Sequence, residues 1–580
     1  MSGYTAPLWD MRFALAEIAE TDELAPDLID AVLDGAAQLA GDVLAPLNHS
    51  GDVEGCVLEN GVVRTPRGFK EAYAQWVAGG WGAIAGDPDH GGQGLPHVLA
   101  TAVSEMWASA NVSFALCPTL TMSAVELLIA YGSAEQKRVY LPKLVTGEWT
   151  GAMNLTEPQA GSDLGALKTR AMPDGDHFRI TGQKIFITYG EHDLTPNIVH
   201  LVLARLPDAP PGSRGISLFL VPKFLINADG SLGARNDLRC VSIEHKLGIH
   251  ASPTCVMSYG DAGGAIGWLV GEPNRGLQAM FTMMNRARLD VGLQGAAIAE
   301  RAYQQARDYA RTRVQGKAPG AASEGEPILH HADVRRMLLA LRAGAEASRA
   351  LVYYAAAMGD RARLSPDAGT RARAERRADL LIPVAKAWAA EIGLDAASTN
   401  IQVHGGMGFI EETGAAQHLR DARIALIYEG TNGIQANDLV TRKLVRDDGE
   451  AARELVDDMR TTTALLAGSR LGPPLAAGID ALERSSAALL DLYARDPACA
   501  LAGSVPYLRL TGIVTGGWLM ARGALAAERR LENGDDERSL LEAKTRTAHF
   551  FAEHWLAAAP AHLPAILGGK TVMEFDLGLL

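Results

Sequence analysis

The sequence predicts a multi-domain, mainly α-helical protein interrupted once by an all-β segment. Apolar residues recur every three or four positions through residues 11–147 and again from 276 onward, the period of a helix face. Between about residues 151 and 275 the texture changes to short β-branched runs punctuated by Gly, Pro, Asn and Asp, the pattern of strands and turns. A chain of 580 residues exceeds what one core serves, so about two to four domains are expected.

Taken in order, residues 1–150 read as an N-terminal helical domain. Phe13, Ala16 and Ile18, then Leu28, Val32, Ala36 and Leu39, share helix faces, and His90-Gly91-Gly92-Gln93-Gly94 breaks the pattern as a loop. The β domain, 151–275, contains the runs 177–181, 185–188, 199–203, 216–221 and 255–257. A helical bundle, 276–448, follows, with long helices expected over 277–313, 332–358 and 370–398 and a mobile loop over 316–327. Residues 449–580 form a C-terminal helical extension broken at Gly472-Pro473-Pro474 and near Pro560 and Pro564.

Composition narrows the function classes. Hydrophobic residues are 48% and charged residues 21% of the chain, which fits a globular protein. A net charge of -14 argues against nucleic acid or an anionic membrane as partner. The five cysteines lie far apart with no CxxC pair, so neither a disulfide framework nor a zinc site is expected. The N-terminus lacks a basic stretch followed by an apolar core, and no uninterrupted apolar run reaches membrane-spanning length; a cytoplasmic protein is expected.

Four motifs carry chemistry. In Leu155-Thr156-Glu157-Pro158-Gln159-Ala160-Gly161-Ser162-Asp163, proline and glycine force a turn whose backbone N–H groups are expected to stay unpaired and point at a ligand. In Gln402-Val403-His404-Gly405-Gly406-Met407-Gly408, the glycines let a backbone approach a bulky polar group, most often a phosphate, although a helix C-terminus followed by a turn reads the same way. Arg311-Thr312-Arg313-Val314-Gln315 ends a helix with a fork that can clamp pyrophosphate or simply complement the helix dipole. Met284-Asn285-Arg286-Ala287-Arg288 offers an apolar group, an amide and guanidinium groups on one helix, or a solvated face. By contrast, Gly80-Trp81-Gly82-Ala83-Ile84-Ala85 only imitates a dinucleotide fingerprint, because the preceding residues 69–77 read as helix where the fingerprint needs a strand.

The most informative segment is Ile427-Tyr428-Glu429-Gly430-Thr431-Asn432. It places a carboxylate at the end of an apolar run and follows it with a glycine turn. Loss of hydration there raises a carboxylate toward the range of a general base; alone, the segment reads more readily as a surface glutamate at a helix end.

In this order and register, the motifs resemble those of the acyl-CoA dehydrogenase family. The turn around Thr156 resembles the family's first signature, the glycine cluster its second, and Tyr428-Glu429-Gly430-Thr431 the segment that carries its base. The likeness covers about residues 1–450. The wording Glu244-His245-Lys246-Leu247-Gly248-Ile249-His250 and the C-terminal extension resemble the long subfamily that includes 3-methylthiopropanoyl-CoA dehydrogenase.

The resemblance implies an α-helical N-domain, a central β-barrel and a four-helix-type C-domain, followed here by the extra helical domain. It implies FAD as cofactor, shared across the protomers of a homo-oligomer, a dimer or a tetramer. Met153, Leu155 and Thr156, with Phe186 and Thr188, would face the flavin ring. Arg313, Gln315, Gln402, Gly405 and Gly406 would hold the pyrophosphate and adenosine from a neighbouring protomer, and Thr431 would also touch FAD. Ser162, Asn285 and Arg288 would lie on the CoA side, Met284 along the acyl chain, and Gly430 at the substrate. No metal is implied.

Glu429 would remove the α-proton while the β-hydride passes to flavin N5, giving a trans-2-enoyl-CoA. Its own backbone N–H and a flavin ribityl hydroxyl would hold the thioester oxygen. Some relatives carry the base at the position of Ala287, which cannot serve. Short or medium acyl-CoA, or 3-methylthiopropanoyl-CoA, would be the substrate and an electron-transfer flavoprotein the acceptor. An oxidase using oxygen and a non-catalytic, flavin-free scaffold are the alternatives. Departures from the family pattern are Asn154, Phe186, Gln417 and the Arg313 loop.

Overall fold

The computed structural model describes residues 3–21, 24–319 and 325–579. The chain divides into two compact units. One comprises Met1–Ala37, His97–Ser109 and Arg288–Leu580; the other comprises Gln38–Pro96 and Ala110–Ala287.

The second unit holds a β-barrel flanked by helices. Strand Arg170–Asp174 pairs with His177–Thr188, which pairs with Ala265–Val270, then Ile216–Pro222, then Ile198–Arg205, which returns to Arg170. The sheet thus closes on itself, which removes most exposed edges. Thr150–Asn154 adds in parallel to Ile198–Arg205, and Thr254–Tyr259 and Leu238–Ile243 extend the other side.

The strand His177–Thr188 changes partner along its length: 178–180 face 265–267, whereas 182–188 face 254–259. Gly182 sits at that change, where a Cβ would come within 2.5 Å of Thr169 Oγ1, so only glycine fits. The barrel core is apolar: Val202, Phe219, Val221, Ile180 and Ala265 are fully buried.

In the same unit the helix Phe69–Ala78 stands where the false dinucleotide fingerprint would need a strand. The helix Val112–Tyr131 is, among the described residues, the one long and apolar enough to cross a membrane, and 78% of its most apolar window is buried inside the protein. It is a core helix of this unit, broken in its apolar character by Thr121, Ser123 and Glu126.

The first unit is helical. Its long members are Gly276–Thr312 (from Arg288 on), Ala332–Leu364 and Ala368–His404. The first keeps its expected ends to within one residue, whereas the other two end at Leu364 and His404, beyond the expected 358 and 398. Small residues let two of them touch backbone to backbone: a Cβ at Gly295 would meet the Ala389 carbonyl oxygen at 2.2 Å, and one at Gly393 would meet the Gly295 carbonyl oxygen at 2.6 Å. The expected loop 316–327 lies partly outside the described residues; Val314 and Pro327 form an isolated bridge at its base.

The extension contributes Glu450–Leu465, Gly472–Arg495, Ser504–Glu532 and Arg538–His554. A buried charge cluster ties it to the N-terminus. Arg349 meets Glu105 at 2.5 Å and Glu300 at 2.9 Å and also pairs with Asp10, while Lys544 pairs with Asp10 and, at 2.9 Å, Glu346.

Candidate active site

Glu429 lies in a loop that its sequence forces into an unusual shape. The turn Arg423–Leu426 packs Ala425 and Leu426 against Val291 and Ala390, and the Tyr428 hydroxyl donates to Gln294. The chain then reverses through two left-handed residues, Glu429 at φ 56° and Gly430 at φ 86°. Glycine adopts that conformation freely, whereas a glutamate there is strained and must be held. Gln435 holds it by donating to the Glu429 carbonyl at 3.0 Å, and Thr431 caps the helix Asn432–Asp438 by accepting from the Ile434 N–H at 3.2 Å.

Glu429 is half-buried. Burial pushes it up to about 7, against the pull of the Arg288 and Lys386 cations. Partial loss of hydration raises the carboxylate by more than the two neighbouring charges lower it.

Those two cations are themselves buried. Arg288 is 4% exposed and reaches Asp438 at 3.3 Å. Lys386 is fully buried and donates to Asn432 Oδ1 at 3.0 Å. Sequence reasoning missed Lys386. Its only signal was a charged residue inside the apolar run 380–390.

The helix that carries Arg288 also presents Met284, Asn285 and Ala287. The solvated-face reading of this motif is wrong: Arg286 and Arg288 side chains are 9% and 5% exposed, and Arg286 reaches Glu126 at 3.4 Å. Met284 and Asn285 are half-buried, and Ala287 is buried.

In the barrel unit the first signature follows strand Thr150–Asn154. Leu155 is buried, Met153 and Thr156 are half-buried and Ser162 is exposed. The expected unpaired backbone donors are not all there, since Glu157 and Ala160 exchange N–H to carbonyl bonds at 3.0 and 2.9 Å. A short antiparallel bridge satisfies the donors more cheaply than leaving them for a ligand.

Thr156 instead offers its carbonyl to the Ile185 N–H at 2.9 Å, which draws the Phe186 segment beside the first signature. There the strand bulges: Lys184 pairs with Met257 and Ile187 with Cys255, so one strand advances three residues while its partner advances two. The extra residue is accommodated by Phe186 at φ 59°, a residue left 59% exposed. Thr188, half-buried, pairs with Thr254.

Asn154 is fully buried and accepts from the Tyr259 hydroxyl at 2.7 Å, with its amide 3.1 Å from His200. A small residue there would leave those groups unpaired, which accounts for this departure.

The Arg313 element and the glycine cluster meet within the helical unit. Tyr309 stacks on His404 with ring centroids 4.2 Å apart. Asn400 donates to Gln305 at 2.7 Å, and Gln305 to the Thr413 carbonyl at 2.8 Å. The structure gives His404 a packing role, with Nδ1 2.8 Å from the Asn400 carbonyl.

Past this stack Gly405 turns at φ 60°, and a Cβ on Gly405 or Gly406 would enter open space. Gln402, Arg313 and Gln315 are exposed, as are Met407, Phe409 and Ile410. Arg313 donates to Gln315 at 3.2 Å. Open glycines, a guanidinium and an amide suit phosphates, and the apolar rim suits an adenine, so these residues fit the nucleotide half of FAD. Gln417, where a basic residue is common, is buried and donates to Asp421 at 3.3 Å.

Four family models match the chain in succession: "Acyl-CoA dehydrogenase, N-terminal domain" at residues 31–148, "middle domain" at 152–262, "C-terminal domain" at 274–444, and "Acetyl-CoA dehydrogenase C-terminal like" at 455–576. The chain is 48% identical to 3-methylmercaptopropionyl-CoA dehydrogenase of Ruegeria pomeroyi, covering 96% of this chain and 97% of the relative. It is 36% identical to a butyryl-CoA dehydrogenase of Syntrophomonas wolfei, over 94% of each chain. Among solved structures, its fold is similar to that of Caenorhabditis elegans ACDH-11 in complex with C11-CoA, with TM-score 0.76, 20% identity and coverage of 96% of this chain and 93% of that one. An acyl-CoA dehydrogenase from Bacillus anthracis complexed with FAD gives TM-score 0.74 at 19% identity, covering 96% and 90%.

Proposed function

The chain belongs to the acyl-CoA dehydrogenase family, whose members are FAD flavoproteins, and from that premise we propose that it desaturates a short acyl-CoA thioester, with Glu429 as the base. The observation that carries this reading is a glutamate held by Gln435 in a left-handed turn, dehydrated, and poised near neutrality. A carboxylate at about 7 is matched to proton abstraction at physiological pH.

The α-proton of a thioester is weakly acidic, so the thioester oxygen must be stabilised as enolate character develops. In our reading the Glu429 N–H donates to that oxygen, and its carboxylate takes the α-proton. Bound FAD supplies the acceptor for the β-hydride. Met153, Leu155, Thr156, Phe186 and Thr188 hold the flavin ring, and Arg313, Gln315, Gln402, Gly405 and Gly406 hold the nucleotide half, with Thr431 as a further contact. Ser162, Asn285 and Arg288 orient CoA, while Met284 and Gly430 line the acyl group.

The 48% identity to a 3-methylmercaptopropionyl-CoA dehydrogenase supports 3-methylthiopropanoyl-CoA as substrate, and the butyryl-CoA relative supports acyl groups of similar length. Electrons leave to an electron-transfer flavoprotein. The chain works as a homo-oligomer in which one protomer's glycine turn completes its partner's nucleotide site.

One experiment tests the core of this reading. Purified yellow protein is mixed anaerobically with a panel of acyl-CoAs, and flavin absorbance is followed. Bleaching by 3-methylthiopropanoyl-CoA and butyryl-CoA, abolished in Glu429→Gln with FAD retained, is expected. Bleaching by Glu429→Gln at the wild-type rate overturns the base; equal bleaching from C4 to C16 with none by the methylthio substrate overturns the specificity. Peroxide release in air without added acceptor overturns the electron-transfer assignment.

A further inference from the structure

The helix Ser504–Glu532 of the C-terminal extension lies against the two elements that support Glu429. On one side it receives Trp388 of the helix Ala368–His404. A Cβ at Gly512 would come within 2.3 Å of the Trp388 ring, and one at Gly516 within 2.7 Å. On the other side Ser504 donates to Asn437 at 2.9 Å, on the short helix that begins at Asn432.

Between these contacts runs a polar chain. Arg509 grips both oxygens of Glu391, at 2.9 and 3.3 Å. Asn432 reaches the same Glu391 at 3.4 Å and the Ala387 carbonyl at 3.1 Å with its amide N–H groups. Its amide oxygen accepts from the Lys386 ammonium at 3.0 Å. Lys386 is fully buried, on the same helix as Glu391 and within electrostatic reach of Glu429.

We propose that the C-terminal extension sets the active-site base: Arg509, through Glu391 and Asn432, holds the Lys386 ammonium toward Glu429, so Arg509 and Lys386 are positioning residues for proton abstraction. This rests on the reading of Glu429 as the base. An amide oxygen orients an ammonium without neutralising it, so the positive charge that Lys386 carries below its own burial-lowered value of about 7 acts on the carboxylate. The remaining charged groups divide cleanly. Arg288, the other cation facing Glu429, is answered by Asp438, with Arg442 and Asp379 beyond it. Around Glu391 stand Arg509, Asp395 and His562. Lys386 itself faces Glu429, Arg288 and Glu391.

The sign follows from charge. Removing the Lys386 cation disfavours the Glu429 carboxylate and raises its pKa. Removing Arg509 leaves Glu391 uncompensated, so that Glu391 draws on Asn432 and Lys386 and shifts the base the same way by less.

The test uses FAD-loaded full-length protein and single-turnover bleaching by butyryl-CoA, followed between about pH 5.5 and 9. A second readout is infrared titration of the ligand-free protein, following the protonated-carboxyl band that Glu429→Gln removes. Lys386→Met is expected to move the acid limb and the infrared midpoint up by about one pH unit, the scale of one nearby cation. Arg509→Gln is expected to slow bleaching at neutral pH about two- to fivefold, the range of a half-exposed ion pair, and to add nothing in the Lys386→Met background.

An unmoved midpoint in Lys386→Met, or an Arg509→Gln effect that persists undiminished in the double variant, overturns the proposal. If Lys386→Met does not fold, Asn432→Ala serves: a raised midpoint supports the relay and an unchanged one sinks it. These outcomes stand apart from the parent reading, which fails only if Glu429→Gln still bleaches the flavin.

Discussion

Lys184 places its ammonium 2.8 Å from the Glu157 carboxylate with both side chains buried, 0% and 3% exposed, inside the barrel wall beneath the first signature. Glu157 also accepts from Thr169 Oγ1 at 2.6 Å and from the N–H groups of Lys168 and Thr169 at 2.6 and 3.0 Å. Together these bring it down to about 2 despite burial, whereas Lys184, with fewer compensating partners, is lowered by burial to about 8. The pair fixes the turn that carries Thr156.

Glu157→Gln is therefore expected to cost about 3–5 kcal/mol, the penalty for stranding a buried charge. The ordinary lysine value of 10.5 exceeds the folded value of about 8, so the unfolded chain binds more protons in that window and stability rises with pH there. Without Glu157, Lys184 falls still lower in the variant, so the deficit should narrow as pH rises toward about 8 and stay level above it, where both chains gain stability alike; denaturant melts at several pH values measure this. In the wild type, the Glu157 contribution is lost as pH falls from 4.5 through about 2.

Glu429 titrates in the opposite sense. Its folded value of about 7 lies above the ordinary 4.5, so the folded state holds a proton that the unfolded chain has lost. This group therefore weakens the fold increasingly as pH rises through that window. The kcat/KM profile should have an acid limb near pH 7, and Glu429→Gln should melt higher than wild type at pH 8 but not at pH 4. A Tm difference independent of pH contradicts the burial of this carboxylate.

Gly295→Ala should destabilise the helical unit. Its Cβ would stand 2.2 Å from the Ala389 carbonyl oxygen and 2.4 Å from that carbonyl carbon, and backbone cannot yield as a side chain does. A cost of about 1–3 kcal/mol is expected from such overpacking, read by chemical denaturation.

Tyr309→Ala should loosen FAD without touching the base. The Tyr309–His404 stack joins the Arg313 element to the glycine turn, and an aromatic pair is worth about 0.5–1.5 kcal/mol. The FAD dissociation constant should rise roughly two- to tenfold, measured by flavin fluorescence, while saturated protein keeps its bleaching rate.

Much of this was readable before the fold was known. Residues with a fixed local signature showed themselves: the glycine after Glu429, the Gly405 cluster and the β texture of 177–257. The long helices were visible from their apolar period, although the C-terminal ends of Ala332–Leu364 and Ala368–His404 were not, because tertiary packing carries them past the last periodic residue. Lys386, Lys184 and Glu157 were opaque for a different reason. Lys386 is a charge in an apolar run, whereas Glu157 and Lys184 stand beside polar and turn residues, and whether such a charge is solvated or buried depends on partners distant in the chain.

The sequence by itself determined the order of helical and β segments and the identity of the family, and it singled out Glu429 over Ala287 as the residue to propose as base, because these rest on residue type and local spacing. Only the tertiary structure decided that the strands close into a barrel, that the Thr156 turn satisfies its own N–H groups at Glu157 and Ala160, and that Phe186 owes its outward ring to a bulge opposite Cys255 and Met257. It also decided the electrostatics of Glu429. Glu429 has no charged neighbour within its own motif, and the cations that act on it, Arg288 and Lys386, come from helices 141 and 43 positions earlier in the numbering. A pKa is set by distance through space and by lost water, and neither is written in the order of residues.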